Sequence, residues 1–122
     1  MSKYAVGMDF GSLSGRAVLV DLSNGNEVAT SVFDYPHGVM SESLPCGKTL
    51  DMDFALQQPQ DYLDALSYTV LDVLKTANVS PNDVAGLGID FTACTVLPVL
   101  EDGTPLCFLD KYKDEPHAYT NA

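Results

Sequence analysis

The segment GMDFGSLSGR, residues 7–16, concentrates the chemistry of this sequence. Asp9 closes an apolar stretch, and an acid at the end of a buried strand is costly unless a cation or hydrogen-bond donors meet it. Gly11 permits a tight turn, so main-chain amides and the hydroxyls of Ser12 and Ser14 can converge on an anion. A carboxylate beside an anion cradle makes sense where a divalent cation, typically Mg2+ with retained waters, bridges the two. Arg16, the only arginine of the chain, follows the turn, where it can meet a phosphate oxygen or Asp9 itself. The pattern is not GxxxxGK[ST], because its turn joins two strands instead of opening a helix. A plain hairpin whose aspartate caps its own turn has the same spacing, so residues 7–16 alone leave both readings open.

A second candidate is GIDFTACT, residues 88–95, in which a strand ends at Asp90 and a small, hydroxyl-rich segment follows. Thr92 and its neighbours could meet a polar ligand there, or simply close a connection between strands. Cys94 has no histidine or basic cluster beside it to lower its pKa, which argues against a nucleophilic thiol. His37 and His117 lack metal-ligand spacing. Asp61 and Asp64 are read as part of a solvated helix face, and Asp51 and Asp53 as solvated loop residues.

The elements that must position these residues follow from periodicity. Residues 1–35 read as a three-stranded meander, with strands at 3–10, 16–22 and 27–35. Tyr4, Val6, Met8 and Phe10 share one face of the first strand; Ala5, Gly7 and Asp9 share the other, which is predicted to be crowded. The dipeptide Asn24-Gly25 predicts a type I′ hairpin turn. Residues 36–58 read as a long loop with at most one short strand. Pro59 opens a helix over 59–78 whose apolar face is Leu63, Leu66, Val70, Leu74 and Ala77. Ser80-Pro81 opens a short helical turn. Residues 86–109 read as strands at 86–91, 95–100 and 106–109, the first carrying the GIDF segment. The class is α/β with β-β-β-α-β order, and the polar residues 111–122 reach no natural stop, so the chain is expected to continue.

Composition bounds the partners. The chain has 122 residues, with 17 acids against 6 bases and a net charge of −11, which argues against nucleic acid or an anionic membrane as partner. Apolar residues make up 46% of it, enough for a core. An odd set of three cysteines without CxxC, and no leader or long apolar run at the start, predict a reduced, cytoplasmic protein.

Four stretches together resemble a known family: YAVGMDFGSLSGRAVLVDLSNG at 4–25, YPHGV at 35–39, LQQPQDYLDAL at 56–66 and GIDFTACTVLPV at 88–99. They are similar, in order along the chain, to the FGGY carbohydrate kinases, relatives of actin and the hexokinases, and within them to the branch that phosphorylates ribulose. The resemblance implies a ribonuclease-H-like half-domain of the actin-like ATPase superfamily, built on a mixed sheet. It implies ATP and Mg2+ as cofactors and ribulose or a related ketopentose as substrate. Asp9 would organise Mg2+, and Gly11, Ser12, Ser14 and Arg16 would meet the phosphates. Ser12 stands where most of the family has threonine, which keeps the hydroxyl. Thr92, Ala93 and Cys94 would line the sugar pocket, Ala93 replacing bulkier residues of other branches. The catalytic base and adenosine site would come from residues beyond 122, so this chain alone is expected to be inactive. A non-catalytic actin-like nucleotide-binding module is the alternative, and a hydrolase using Asp9 and Asp90 ranks last.

Overall fold

Apolar alternation organises the first third of the chain into strands in the computed structural model, which describes residues 3–122. The strands are β1 (Tyr4–Phe10), β2 (Ser14–Asp21) and β3 (Glu27–Asp34). After a segment containing β4 (Leu56–Gln57), a 19-residue helix α1 (Pro59–Ala77) leads through a short helical turn, Pro81–Asp83, into β5 (Val84–Phe91). A final short strand, β6, covers Thr120–Asn121.

The chain divides into two compact units, one of residues 3–35 and 62–92, the other of 36–61 and 93–122. In the first, the sheet order is β3-β2-β1-β5. The β1–β2 and β2–β3 pairs are antiparallel and β1–β5 is parallel, so the sheet is mixed. The parallel pair requires a crossover, which α1 supplies. Val6 and Met8 of β1, with Ala17 and Leu19 of β2, are buried together with Ala65, Val73 and Leu74 of α1. Full burial of each larger aliphatic side chain contributes about 1.5–3 kcal/mol.

Helix α1 begins at Pro59, where a missing N–H costs nothing, and ends in a Schellman motif. Asn78 adopts φ 54°, its N–H reaching the Lys75 carbonyl and the Val79 N–H reaching that of Leu74. Of the face predicted, Leu74 is buried and Leu66, Val70 and Ala77 pack against the core, but Leu63 does not, and the most deeply covered line of the helix lies beside it. Leu63 is 50% exposed, whereas Ala65, Thr69 and Val73 are fully covered and Asp61 is only 2% exposed. The sheet contacts the helix along the small residues, because Gly15 of β2 brings α1 so close that a Cβ there would lie 2.9 Å from that of Ala65.

Three further expectations are corrected. The face of β1 carrying Asp9 is open within this unit instead of crowded: Asp9 is exposed and a cavity lies over it. The β2–β3 connection is not a type I′ turn, since Gly25 (φ 77°) has a positive φ and Asn24 does not. Its cause is Asp21, whose carboxylate accepts from both the N–H and the hydroxyl of Ser23 and folds the chain into a longer turn. Residues 95–100 and 106–109 form no strands. They make one isolated bridge, Val99 to Pro105, and a 3-10 turn at Leu106–Phe108, because Pro98 and Pro105 cannot donate to a ladder.

The second unit is built on its own apolar cluster of Met40, Leu44, Leu50, Leu56, Cys107, Ala118 and Tyr119. Residues 36–58 therefore supply half a core instead of a draped loop. The two-residue strands β4 and β6 pair antiparallel. Side chains finish the job: the Lys48 Nζ donates to the Asp114 carbonyl at 2.9 Å and the Tyr119 hydroxyl to that of Lys113 at 2.9 Å.

Candidate functional site

Strand register gathers the site. Asp9 of β1 is the register partner of Arg16 across the antiparallel pair and of Asp90 across the parallel pair. Adjacent strands lie about 4.8 Å apart, so one basic and two acidic positions sit side by side at the end of three neighbouring strands. One step back along the strands, Gly7 pairs with Gly88, leaving a floor without side chains. A cavity of about 690 Å3 opens over this face, lined among others by Gly7, Asp9, Arg16, Val18, Gly88 and Asp90. The salt bridges among the described residues include neither Asp9 nor Arg16. Both charges are exposed to the cavity side of the sheet.

The turn after Asp9 is closed by main-chain bonds. The Gly11 N–H donates to the Ser14 carbonyl at 2.9 Å, and a Cβ on Gly11 would stand only 3.1 Å from that oxygen. The Leu13 carbonyl accepts from the Tyr35 N–H at 2.9 Å. Ser12 is exposed and Ser14 half-buried at the start of β2, so Asp9, Gly11, Ser12, Ser14 and Arg16 all fall in one hairpin. That hairpin can offer an anion main-chain donors, hydroxyls and one guanidinium, with a carboxylate pair alongside.

In the sequence Asp90 ends a second motif and is combined with Asp9 only in the last-ranked hydrolase reading; the parallel register is what sets the two side by side. Its Oδ1 accepts from the Phe91 N–H at 2.9 Å, which orients the carboxylate at the strand end. Thr92 follows β5 and ends the first unit. Ala93 and Cys94 belong to the second unit, in an exposed turn where Cys94 takes φ 61°.

Among the described residues no group of three or more His, Cys, Asp or Glu side chains could hold a metal by itself. Two in-register carboxylates beside a tight, hydroxyl-bearing turn suit Mg2+, which binds through one or two carboxylates and takes its remaining ligands from phosphates and water.

One acid expected to be solvated has a partner. The Asp61 carboxylate, 2% exposed, accepts from the His37 N–H at 3.0 Å and meets the His37 Nδ1 at 2.7 Å. The two lie 24 residues apart in sequence, so helical periodicity held no sign of the pairing.

No protein-family model matches the chain. Its structure is similar to that of the gluconate kinase from Lactobacillus acidophilus, with a TM-score of 0.64 over 84% of this chain and 18% of that one. At 22% identity the likeness carries the fold alone, an α/β unit built on a mixed sheet. In sequence the chain is homologous to ribulokinases along nearly its whole length. The ribulokinase of Halalkalibacterium halodurans is 51% identical over 119 residues, covering 97% of this chain and 21% of the relative. That of Mycolicibacterium smegmatis is 48% identical over 119 residues, covering 96% and 21%. The chain thus spans about a fifth of the length of the curated relatives it matches.

Proposed function

We propose that the chain is part of an ATP-dependent sugar kinase that phosphorylates ribulose or a related ketopentose in carbohydrate catabolism, acting in the cytoplasm. The observation that carries this reading is identity of about half with ribulokinases along nearly the entire chain. Paired acids beside an anion-binding turn give that identity a chemical sense. We read the first unit as belonging to a ribonuclease-H-like half-domain, with β1 and β2 carrying its phosphate hairpin.

Phosphoryl transfer asks a protein mainly for positioning and for stabilisation of charge. Asp9, with Asp90 beside it, would hold Mg2+, which when bound offsets the charge of the nucleotide phosphates. The Gly11 turn approaches the transferred group without a side chain in the way. Ser12 and Ser14 offer hydroxyl donors, and Arg16 offers a bidentate cation to a phosphate oxygen. Thr92, Ala93 and Cys94 would border the sugar, the small Ala93 leaving room for a ketopentose. The general base and the adenosine site are expected from other parts of a protein of the relatives' length.

The test is a steady-state assay of the full-length protein with ATP, Mg2+ and a panel of ketopentoses, polyols and gluconate. Turnover confined to ketopentoses supports the reading; equal turnover of gluconate, or none on any sugar, would overturn it. The 122-residue chain assayed alone is expected to show no turnover.

A further inference from the structure

Leu13 sits in the turn that follows Asp9, and its side chain is 62% exposed, so side-chain packing does little to hold residues 11–14. Main-chain bonds close them, and one of these comes from outside the hairpin: the Tyr35 N–H reaches the Leu13 carbonyl at 2.9 Å. Tyr35 is buried, and its ring meets the edge of Tyr62 on α1, with centroids 5.5 Å apart and planes at 75°. Tyr62 also meets Phe10 edge-on, at 5.9 Å and 71°. Phe10 lies between Asp9 and Gly11. A single helix-borne ring therefore touches the residue entering the turn and the residue that grips its far side.

We propose that Tyr62 is a positioning residue for the phosphate turn, holding Phe10 and Tyr35 so that the Gly11–Ser14 backbone is already in its ligand-binding shape. The physical basis is rigidity. A tyrosine ring has two side-chain torsions and prefers the edge-to-face geometry found at both contacts. Gly11 gives the turn its tightness and also the greatest freedom to leave it. Fixing the flanking residues from the helix removes that freedom before any ligand arrives. The kinetic part of the argument rests on the kinase reading above; the structural part does not.

The experiment uses the full-length protein with Tyr62→Leu, Tyr62→Phe and Phe10→Leu, and with Tyr68→Leu as the control. Tyr68 is also on α1 and also packs on a ring, that of Phe33 on β3, with centroids 5.4 Å apart. Hydrogen exchange is read at the Gly11 and Tyr35 amides, the donors of the two closing bonds. Tyr62→Leu should speed both about threefold to tenfold, the scale of one or two lost ring contacts. Tyr62→Phe should restore them, and Phe10→Leu should speed Gly11 alone or more than Tyr35. In the kinase assay Tyr62→Leu should lower kcat about tenfold, because misplacement of a turn falls on the transition state, with the sugar KM within about twofold of wild type. Unchanged exchange in a folded Tyr62→Leu protein would overturn the proposal, as would equal effects of Tyr62→Leu and Tyr68→Leu. If Tyr62→Leu does not fold, Phe10→Leu decides by the same exchange readout. A wild-type protein without kinase activity would refute the proposed function and leave the exchange result to decide this inference.

Discussion

Asp9 and Asp90 stand opposite each other as register partners of the parallel β1–β5 pair, each one residue from the end of its strand. They lie 81 positions apart in the chain, and helix α1 is the crossover that makes them neighbours. Two like charges side by side repel unless a cation joins them, and Arg16 on the other flank of Asp9 is a single positive group. The proposed Mg2+ site would relieve that repulsion.

Replacing Asp9 by Asn should lower the Mg2+-dependent rate of the full-length protein about a hundredfold or more, the scale of losing one transition-state charge contact. Because Asp9 is exposed and joins none of the salt bridges among the described residues, the melting temperature should hardly move. Asp90→Asn should chiefly raise the Mg2+ concentration needed for half-maximal rate, about tenfold. Titration of the rate with Mg2+ separates the two.

Gly15→Ala should destabilise the first unit. The added Cβ would stand 2.8 Å from the Met8 Cε and 2.9 Å from the Ala65 Cβ. Met8 can swing its terminal methyl aside, but Ala65 can retreat only by moving α1, so about 1–3 kcal/mol is expected from denaturant unfolding. A neutral result would mean that the helix shifts freely against β2.

Asp61→Ala should cost about 1–3 kcal/mol, because it leaves the His37 N–H without its acceptor next to a buried helix end. Asp61→Asn keeps a carbonyl oxygen for that N–H and should recover part of the loss. Urea unfolding at neutral pH measures both variants.

Alkali should loosen the second unit. Burial pushes the Cys107 thiol up to about 11 from 9.0 and the Tyr119 hydroxyl up to about 12 from 10.0. Each group is neutral below its unfolded pKa, so its contribution is complete there. As pH climbs from 9.0 towards about 11, unfolded Cys107 releases its proton while the native thiol keeps it, and stability falls; Tyr119 repeats this between 10.0 and about 12. Cys107→Ala should flatten the lower part of that decline. At pH 8 a thiol reagent should label the exposed Cys46 and Cys94 quickly and the buried Cys107 slowly.

Much of the first unit was legible because its signals are local. Alternation of Tyr4, Val6, Met8 and Phe10 marked β1, Pro59 and Asn78 bracketed α1, and Gly11 between Asp9 and Ser12 marked the turn. The second unit was far less legible. Met40, Leu44, Leu50 and Leu56 follow neither helical nor strand spacing, since they converge from irregular backbone onto Cys107 and Tyr119 more than fifty residues away. The apolar repeat of α1 placed Leu66, Val70, Leu74 and Ala77 at the core but also Leu63, which is exposed, and gave no sign of the fully covered Ala65 and Thr69, because a sheet that carries Gly15 at the contact selects small helix residues there.

The sequence by itself determined the elements of the β1–β2 hairpin and, through its likeness to a kinase family, the residues expected to meet phosphate. These follow from glycine's torsional freedom, the two-residue period of strands and the chemistry of acid, hydroxyl and guanidinium groups, all read within a dozen positions. Only the tertiary structure decided that Asp90 joins Asp9, that Asp61 is buried against His37, and that one ring on α1 touches both sides of the turn. Each of those depends on strand register or helix rotation, which are set by packing between segments far apart in the chain.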